Sequence, residues 1–205
     1  KGYQYLDEEN EYFFQYYSTV DRFELASSNE EEDVLIDWES DFVYDLTNKN
    51  ACILGTGGAS RAAAVGLIER GITSIDFYTR NIINAQNAIN YLRDKFPKIN
   101  FTAHQIQNVL SLPKSAIVVN ATPIGMKGYA MDEMPLSESV ISQLDKDTLI
   151  YDIVYNPLTT LFLQTAQKHG LQVVEGLDML LYQAQKAINI WTGKTPDFNE
   201  MKIAA

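Results

Sequence analysis

The stretch Gly55-Thr56-Gly57-Gly58-Ala59-Ser60 constrains this chain more than any other part of it. It follows the short apolar run Ala51-Cys52-Ile53-Leu54 directly and opens a helical pattern over 59–70. A buried strand, a glycine turn and a helix start, in that order, build the first βα unit of an open parallel sheet. The first glycine permits the tight turn, the second lets backbone come close to a pyrophosphate, and the small residues after it let helix and strand pack closely. The helix start then offers free N–H groups and a partial positive charge to phosphate oxygens.

Downstream, strand and helix patterns alternate. Ser74–Thr79 alternates as a strand, and 85–96 carries Ala85, Ala88, Ile89 and Leu92 on one helical face. Residues 100–104 predict a third strand, Ile117–Asn120 a fourth, Leu149–Asp152 a fifth and 171–174 a sixth. Helices are expected over 161–169 and 179–191, and Pro157 is placed to start the first of them. The expected fold class is α/β: a doubly wound, Rossmann-like parallel sheet with helices on both faces.

Charge separates the first quarter of the chain from the rest. Of 27 acidic residues among 205, fourteen lie in 1–46, against only Lys1 and Arg22. The net charge of -11 therefore belongs to that segment. It is too rich in Tyr and Phe for a solvated tail; 16–25 and Val34-Leu35-Ile36 read as strands, with Glu30-Glu31-Glu32-Asp33 a solvated turn between them. We expect two parts: an acidic, aromatic N-terminal segment, 1–46, and a nucleotide-binding domain, 47–205. The acidity argues against nucleic-acid binding. No apolar run is long enough for a membrane helix, and Lys1-Gly2-Tyr3-Gln4-Tyr5 lacks the apolar centre of a secretory signal, so the expected compartment is cytoplasmic. The single Cys52 argues for a core thiol and against a disulfide framework.

The chemistry-bearing residues sit where strands end. Arg80 ends the second strand, where an arginine suits the 2′-phosphate of NADP and an acid suits the free ribose of NAD; Asp76, earlier in the same strand, is the competing NAD reading. Asn120-Ala121-Thr122-Pro123-Ile124-Gly125-Met126 leaves the fourth strand and Tyr155-Asn156-Pro157 the fifth, at the carboxyl edge where open sheets bind ligands. Met179 and Gln183 lie one helical turn apart, just after Gly176. His104 and His169 fit no triad and no metal spacing; His169, before Gly170, suits a helix C-terminus.

These pieces resemble the C-terminal NADP-binding domain of the shikimate dehydrogenase family. The matching strings are GTGGASRAA at 55–63, YTRN at 78–81 where the family has Asn-Arg-Thr, NATPIGM at 120–126, DIVYNPLTT at 152–160 and GLDMLLYQAQKAINIWTG at 176–193. The resemblance implies an oxidoreductase of aromatic amino acid biosynthesis that reduces 3-dehydroshikimate to shikimate with NADPH. It implies that Gly55, Gly57, Gly58 and Ala59 hold the pyrophosphate, and that Thr79 and Arg80 meet the 2′-phosphate. Asn120, Ala121, Thr122 and Met126 would line the cofactor's path, and Gly176 and Met179 would approach the nicotinamide. Tyr155 and Gln183 would face the substrate.

Two departures stand out. Ile82, Ile83 and Asn84 follow Arg80 where the family often has a second basic residue, which implies a weaker NADP preference. The family's Asn-Val-Thr-x-Pro-x-Lys and Asn-Thr-Asp motifs, which supply the catalytic Lys and Asp, do not occur; Lys1 and Lys49 are the only lysines before Gly55, and Asp37-Trp38 lacks the preceding Asn-Thr. No catalytic residue is assigned for this reason. General acid assistance of that kind contributes roughly 10²–10⁴-fold. The other reading is therefore a catalytically silent, regulatory relative that binds NADP or a metabolite. The apolar final helix, with Leu180, Leu181, Ala184, Ile188 and Trp191, calls for cover by the N-terminal segment or by a second subunit in a homodimer.

Overall fold

The computed structural model describes residues 45–205. The strands expected at 16–25 and 34–36 lie outside the described residues, as does all of the acidic segment except Asp45 and Leu46. The chain divides into two compact units, one spanning Tyr44–Leu177 and the other including Asp178–Ala205.

The first unit is built on six strands: β1 (Asn50–Leu54), β2 (Ser74–Thr79), β3 (Asn100–Gln105), β4 (Ile117–Asn120), β5 (Leu149–Asp152) and β6 (Gln172–Val174). All neighbours are parallel and the order is β3-β2-β1-β4-β5-β6. The apolar runs explain the arrangement. Every residue of β4 and β5 is buried, as only a strand covered on both faces requires. Such strands need long crossovers, and α1 (Gly58–Glu69), α2 (Ile82–Lys95) and α4 (Leu161–Lys168) supply them.

From β1 the sheet grows one way through β2 and β3; from β4 it grows the other way through β5 and β6. Right-handed crossovers then place α1 and α2 on one face and α4 on the other. Phe162, Leu163 and Ala166 of α4 share a core with Cys52, Leu54, Tyr78, Val118 and Ile150, the side chains that alternate toward that face. The β3–β4 connection has only a 3-10 turn, Ile106–Asn108, and short α3 (Glu138–Ile141) adds Val140 and Ile141 to the same core. Cys52 is fully buried, and burial pushes its thiol up to about 12.

Of the second unit, α5 (Leu177–Thr192) and α6 (Phe198–Ala204) are described. Tyr182 stacks on Phe198 with ring centroids 4.1 Å apart, Gln185 Nε2 donates to Pro196 O at 2.7 Å, and Lys202 pairs with Asp178. Asp197 caps α6 by accepting the Glu200 N–H. No described helix is long and apolar enough to cross a membrane.

Candidate functional site

The reversal of strand order between β1 and β4 opens a crevice at their carboxyl ends, and the glycine turn lies on it. Gly55 has φ +106, a conformation side chains rarely adopt, and its N–H donates to Tyr78 O at 2.7 Å. A Cβ there would come 3.0 Å from Ala121 O and 3.2 Å from both Ser60 Oγ and Thr122 Cγ2. Gly57 caps α1 without a side chain, whereas Asn81, Thr160 and Asp197 cap α2, α4 and α6 with theirs. The first N–H groups of α1 therefore meet no capping side chain. Gly57 and Ala59 are exposed, Gly58 begins the helix, and a Cβ on Gly57 would meet nothing within 4 Å. Beside this turn, Ser60 Oγ is buried without a hydrogen-bond partner, as is Arg61 Nε. An open turn, an uncapped helix start and orphaned buried polar atoms fit a bound pyrophosphate.

One strand away, Thr79 ends β2. Its hydroxyl accepts the Asn81 N–H at 3.1 Å and lies 3.5 Å from the Thr56 hydroxyl, tying the β2 exit to the glycine turn. Arg80 follows, exposed, with its backbone oxygen held by Gln105 Nε2 at 3.3 Å. Asp76 is committed elsewhere. It is buried within the strand and accepts from Asn50 Nδ2 at 2.9 Å and from the Thr102 hydroxyl, with His104 Nε2 at 3.5 Å. That position lies inside β2, three residues before its end, and Arg80 is the charged side chain that follows the strand.

The exits of β4 and β5 are joined by a buried polar network. Asn120 Nδ2 donates to Asp152 Oδ1 at 2.8 Å and to Ile124 O at 3.1 Å. Asn120 Oδ1 accepts from Thr122 N at 3.1 Å and Thr122 Oγ1 at 2.7 Å. Asp152 Oδ1 also accepts from Val154 N at 3.0 Å, and Oδ2 from Thr160 Oγ1 at 2.6 Å. Burial pushes the Asp152 carboxyl up to about 6, against the hydrogen bonds from Thr160, Val154 and Asn120 that favour its charged form. Gly176, at the β6 exit, lies against the β5 exit: a Cβ would sit 2.4 Å from Ile153 O. Its glycine is required by that close approach alone.

Met126 and Tyr155 are exposed on the two loops, which are linked by Lys127 N donating to Asn156 O at 2.8 Å. Pro157 does not start a helix, contrary to the expectation from its position. It forms a cis peptide with Asn156, and α4 begins later, at Leu161, where Thr160 caps it through the Leu163 N–H. His169 caps the C-terminus of α4, as its place before Gly170 suggested, and its Nε2 lies 3.0 Å from Glu138 Oε1. Among the described residues no cluster of His, Cys, Asp or Glu could hold a metal ion.

The structure thus gathers Gly55, Gly57, Gly58, Ala59, Thr79, Arg80, Asn120, Ala121, Thr122, Met126, Tyr155 and Gly176 along the carboxyl edge of one sheet. Met179 and Gln183 lie on α5, one turn apart, in the second unit. Sequence reasoning missed Ser60, Asp152 and Thr160. For Asp152 the signal was an acid ending an otherwise apolar buried strand.

A six-stranded parallel sheet in this order, with a glycine turn and an open helix start at its switch point, defines a Rossmann-like fold, the class to which dinucleotide-binding domains belong. Residues 176–204 match the family profile described as the Shikimate 5'-dehydrogenase C-terminal domain. The NADP(+) shikimate dehydrogenase of Archaeoglobus fulgidus is 38% identical over 161 residues, covering 78% of this chain and 57% of that protein. Among solved structures, the ligand-free 5-ketofructose reductase of Gluconobacter sp. strain CHM43 is similar at 33% identity and TM-score 0.66, over 77% of this chain and 55% of that one. Shikimate 5-dehydrogenase from Thermus thermophilus, in complex with NADP(H) and shikimate, is similar at 30% identity and TM-score 0.61, over 77% and 54%. The chain belongs to the shikimate dehydrogenase family, and it spans a little over half the length of these relatives.

Proposed function

We propose that this chain supplies the NADP-binding site of a shikimate dehydrogenase-type oxidoreductase, which interconverts 3-dehydroshikimate and shikimate. The observation that carries the reading is the pairing of an open glycine turn at the switch point with an exposed arginine at the end of the adjacent strand. In this reading Gly55, Gly57, Gly58 and Ala59 receive the pyrophosphate on backbone N–H groups. Thr79 and Arg80 receive the 2′-phosphate, the guanidinium as a forked donor. Asn120, Ala121, Thr122 and Met126 flank the nicotinamide half, with Gly176 shaping the β6 exit. When bound, NADPH supplies the hydride; these residues bind and orient it. Assignment of Met179 to the nicotinamide, and of Tyr155 and Gln183 to the substrate, rests on the strings shared with the family.

The test is a fluorescence titration with NADPH and NADH. NADPH is expected to bind more tightly, and Arg80→Ala to weaken NADPH roughly tenfold to hundredfold, the range for losing charge-assisted hydrogen bonds, with NADH nearly unchanged. Equal losses for both cofactors would remove Arg80 from the 2′-phosphate. A second reading, a cofactor-binding module without turnover of its own, is favoured by the lack of the family's Lys and Asp motifs in these 205 residues. Following NADP⁺ reduction by shikimate with this chain separates the two: robust turnover eliminates the module reading.

A further inference from the structure

We propose that Asp152 is a positioning residue, which through Asn120 and Thr160 fixes the loop 121–126 against the glycine turn and so sets where the nicotinamide half of the cofactor rests. The inference rests on the cofactor reading above and deepens it.

Asp152 is fully buried, so it does not touch substrate itself. Both of its oxygens are acceptors in use, Oδ1 for Asn120 and Val154 and Oδ2 for Thr160. An acceptor-only carboxylate dictates which way the Asn120 amide faces. Its NH₂ group must point at Asp152, and its oxygen must then point at Thr122, where it receives both the backbone N–H and the hydroxyl. The opposite amide orientation would set oxygen against carboxylate and NH₂ against N–H. Thr122 Oγ1 passes the constraint on by accepting the Ile124 N–H at 3.2 Å.

The far end of the loop is held by the same carboxylate. Gly125 has φ +97, and a Cβ there would touch the Thr160 side chain at 3.4 Å; Thr160 is the residue bonded to Asp152 Oδ2. The near end reaches the glycine turn, because Ala121 O is the atom a Cβ on Gly55 would meet first. Asp152 therefore sets the spacing between the turn that receives pyrophosphate and the loop beside the nicotinamide half. Sites held by a buried, fully bonded outer layer keep the geometry that orientation demands.

The experiment compares two ligands on the full chain: NADPH, which spans both halves of the crevice, and 2′,5′-ADP, which carries only the adenine half. Asp152→Ala is expected to weaken NADPH by about tenfold, the cost of orphaning buried donors, and to shift the emission of bound NADPH, while 2′,5′-ADP affinity stays within about twofold. Asp152→Asn is the rescue. Its oxygen keeps Asn120 and Val154, and its NH₂ can donate to a rotated Thr160 hydroxyl, so NADPH affinity stays within about threefold. Thr160→Val cuts the outer leg only and gives the same comparison where the alanine variant does not fold. Equal weakening of both ligands by Thr160→Val, or unchanged NADPH affinity in a folded Asp152→Ala, would overturn the inference alone. Failure of the unaltered chain to bind either ligand would remove the cofactor reading and this inference together.

Discussion

At the scale of single residues, the site depends on a few positions where side chains are either excluded or left without partners. Gly55 is the clearest. Its positive φ strains any L side chain, and the Ala121 carbonyl closes the space such a side chain would occupy. Gly55→Ala is expected to cost about 1–3 kcal/mol from backbone strain, read as a lower urea midpoint, and to weaken NADPH as the turn shifts. A midpoint equal to the parent's would mean that the turn relaxes freely. Arg80 differs in kind: it is exposed, contributes little to the fold, and its substitution should register in cofactor discrimination alone. Its place could be read from the sequence because a strand end is a local property. Ser60 could not, since nothing in the string GASR tells that its hydroxyl is buried beside Gly55 without a partner.

At the scale of elements, the β4 and β5 exits act as one assembly because a single carboxyl serves both. The Asp152 carboxyl lies at about 6 in the fold and returns to 3.8 when the chain unfolds. A raised value means the folded state holds its proton longer. Stability from this group is complete below about pH 4 and is lost as pH rises through about 6, a swing of up to about 3 kcal/mol. Asp152→Asn cannot ionise, so it is expected to gain on the parent by up to that amount between pH 4.5 and 7.5, measured by urea unfolding at both ends. A constant difference across that window would show that the carboxyl titrates normally. Element boundaries follow the same logic of local and distant causes. The bounds of β2, β4 and β5 match the expectation, which rested on alternation for β2 and on short apolar runs for β4 and β5. α2 opens at Ile82 rather than 85 because Asn81 caps it through the Asn84 N–H, a signal that apolar spacing does not carry. α3 has four residues and α6 seven, too few for a period to declare itself.

At the scale of the whole molecule, the doubly wound parallel class was legible because strands and helices alternate, and right-handed crossovers leave few other topologies; the order β3-β2-β1-β4-β5-β6, with its reversal between β1 and β4, is what the structure adds. The bond between Asn120 and Asp152 was not, for it joins residues 32 apart that only the parallel β4–β5 register brings level. Adjacent exits in a parallel sheet can be far apart in sequence, so site geometry is settled by topology after local pattern has done its part. The same topology has a practical outcome for the chain's one sulfhydryl. Cys52 lies in the middle of β1, closed on both sides by β2 and β4, and burial holds its proton on. An alkylating reagent reaches it only when the innermost strand parts from its neighbours. Maleimide labelling of the native chain should therefore be slow and should slow further as NADPH saturates the protein, by a factor that follows the stabilisation from ligand linkage. Labelling as fast as that of an unfolded thiol would mean that the central strand is open to solvent. A residue without a part in the chemistry thereby becomes a built-in gauge of how often the domain breathes.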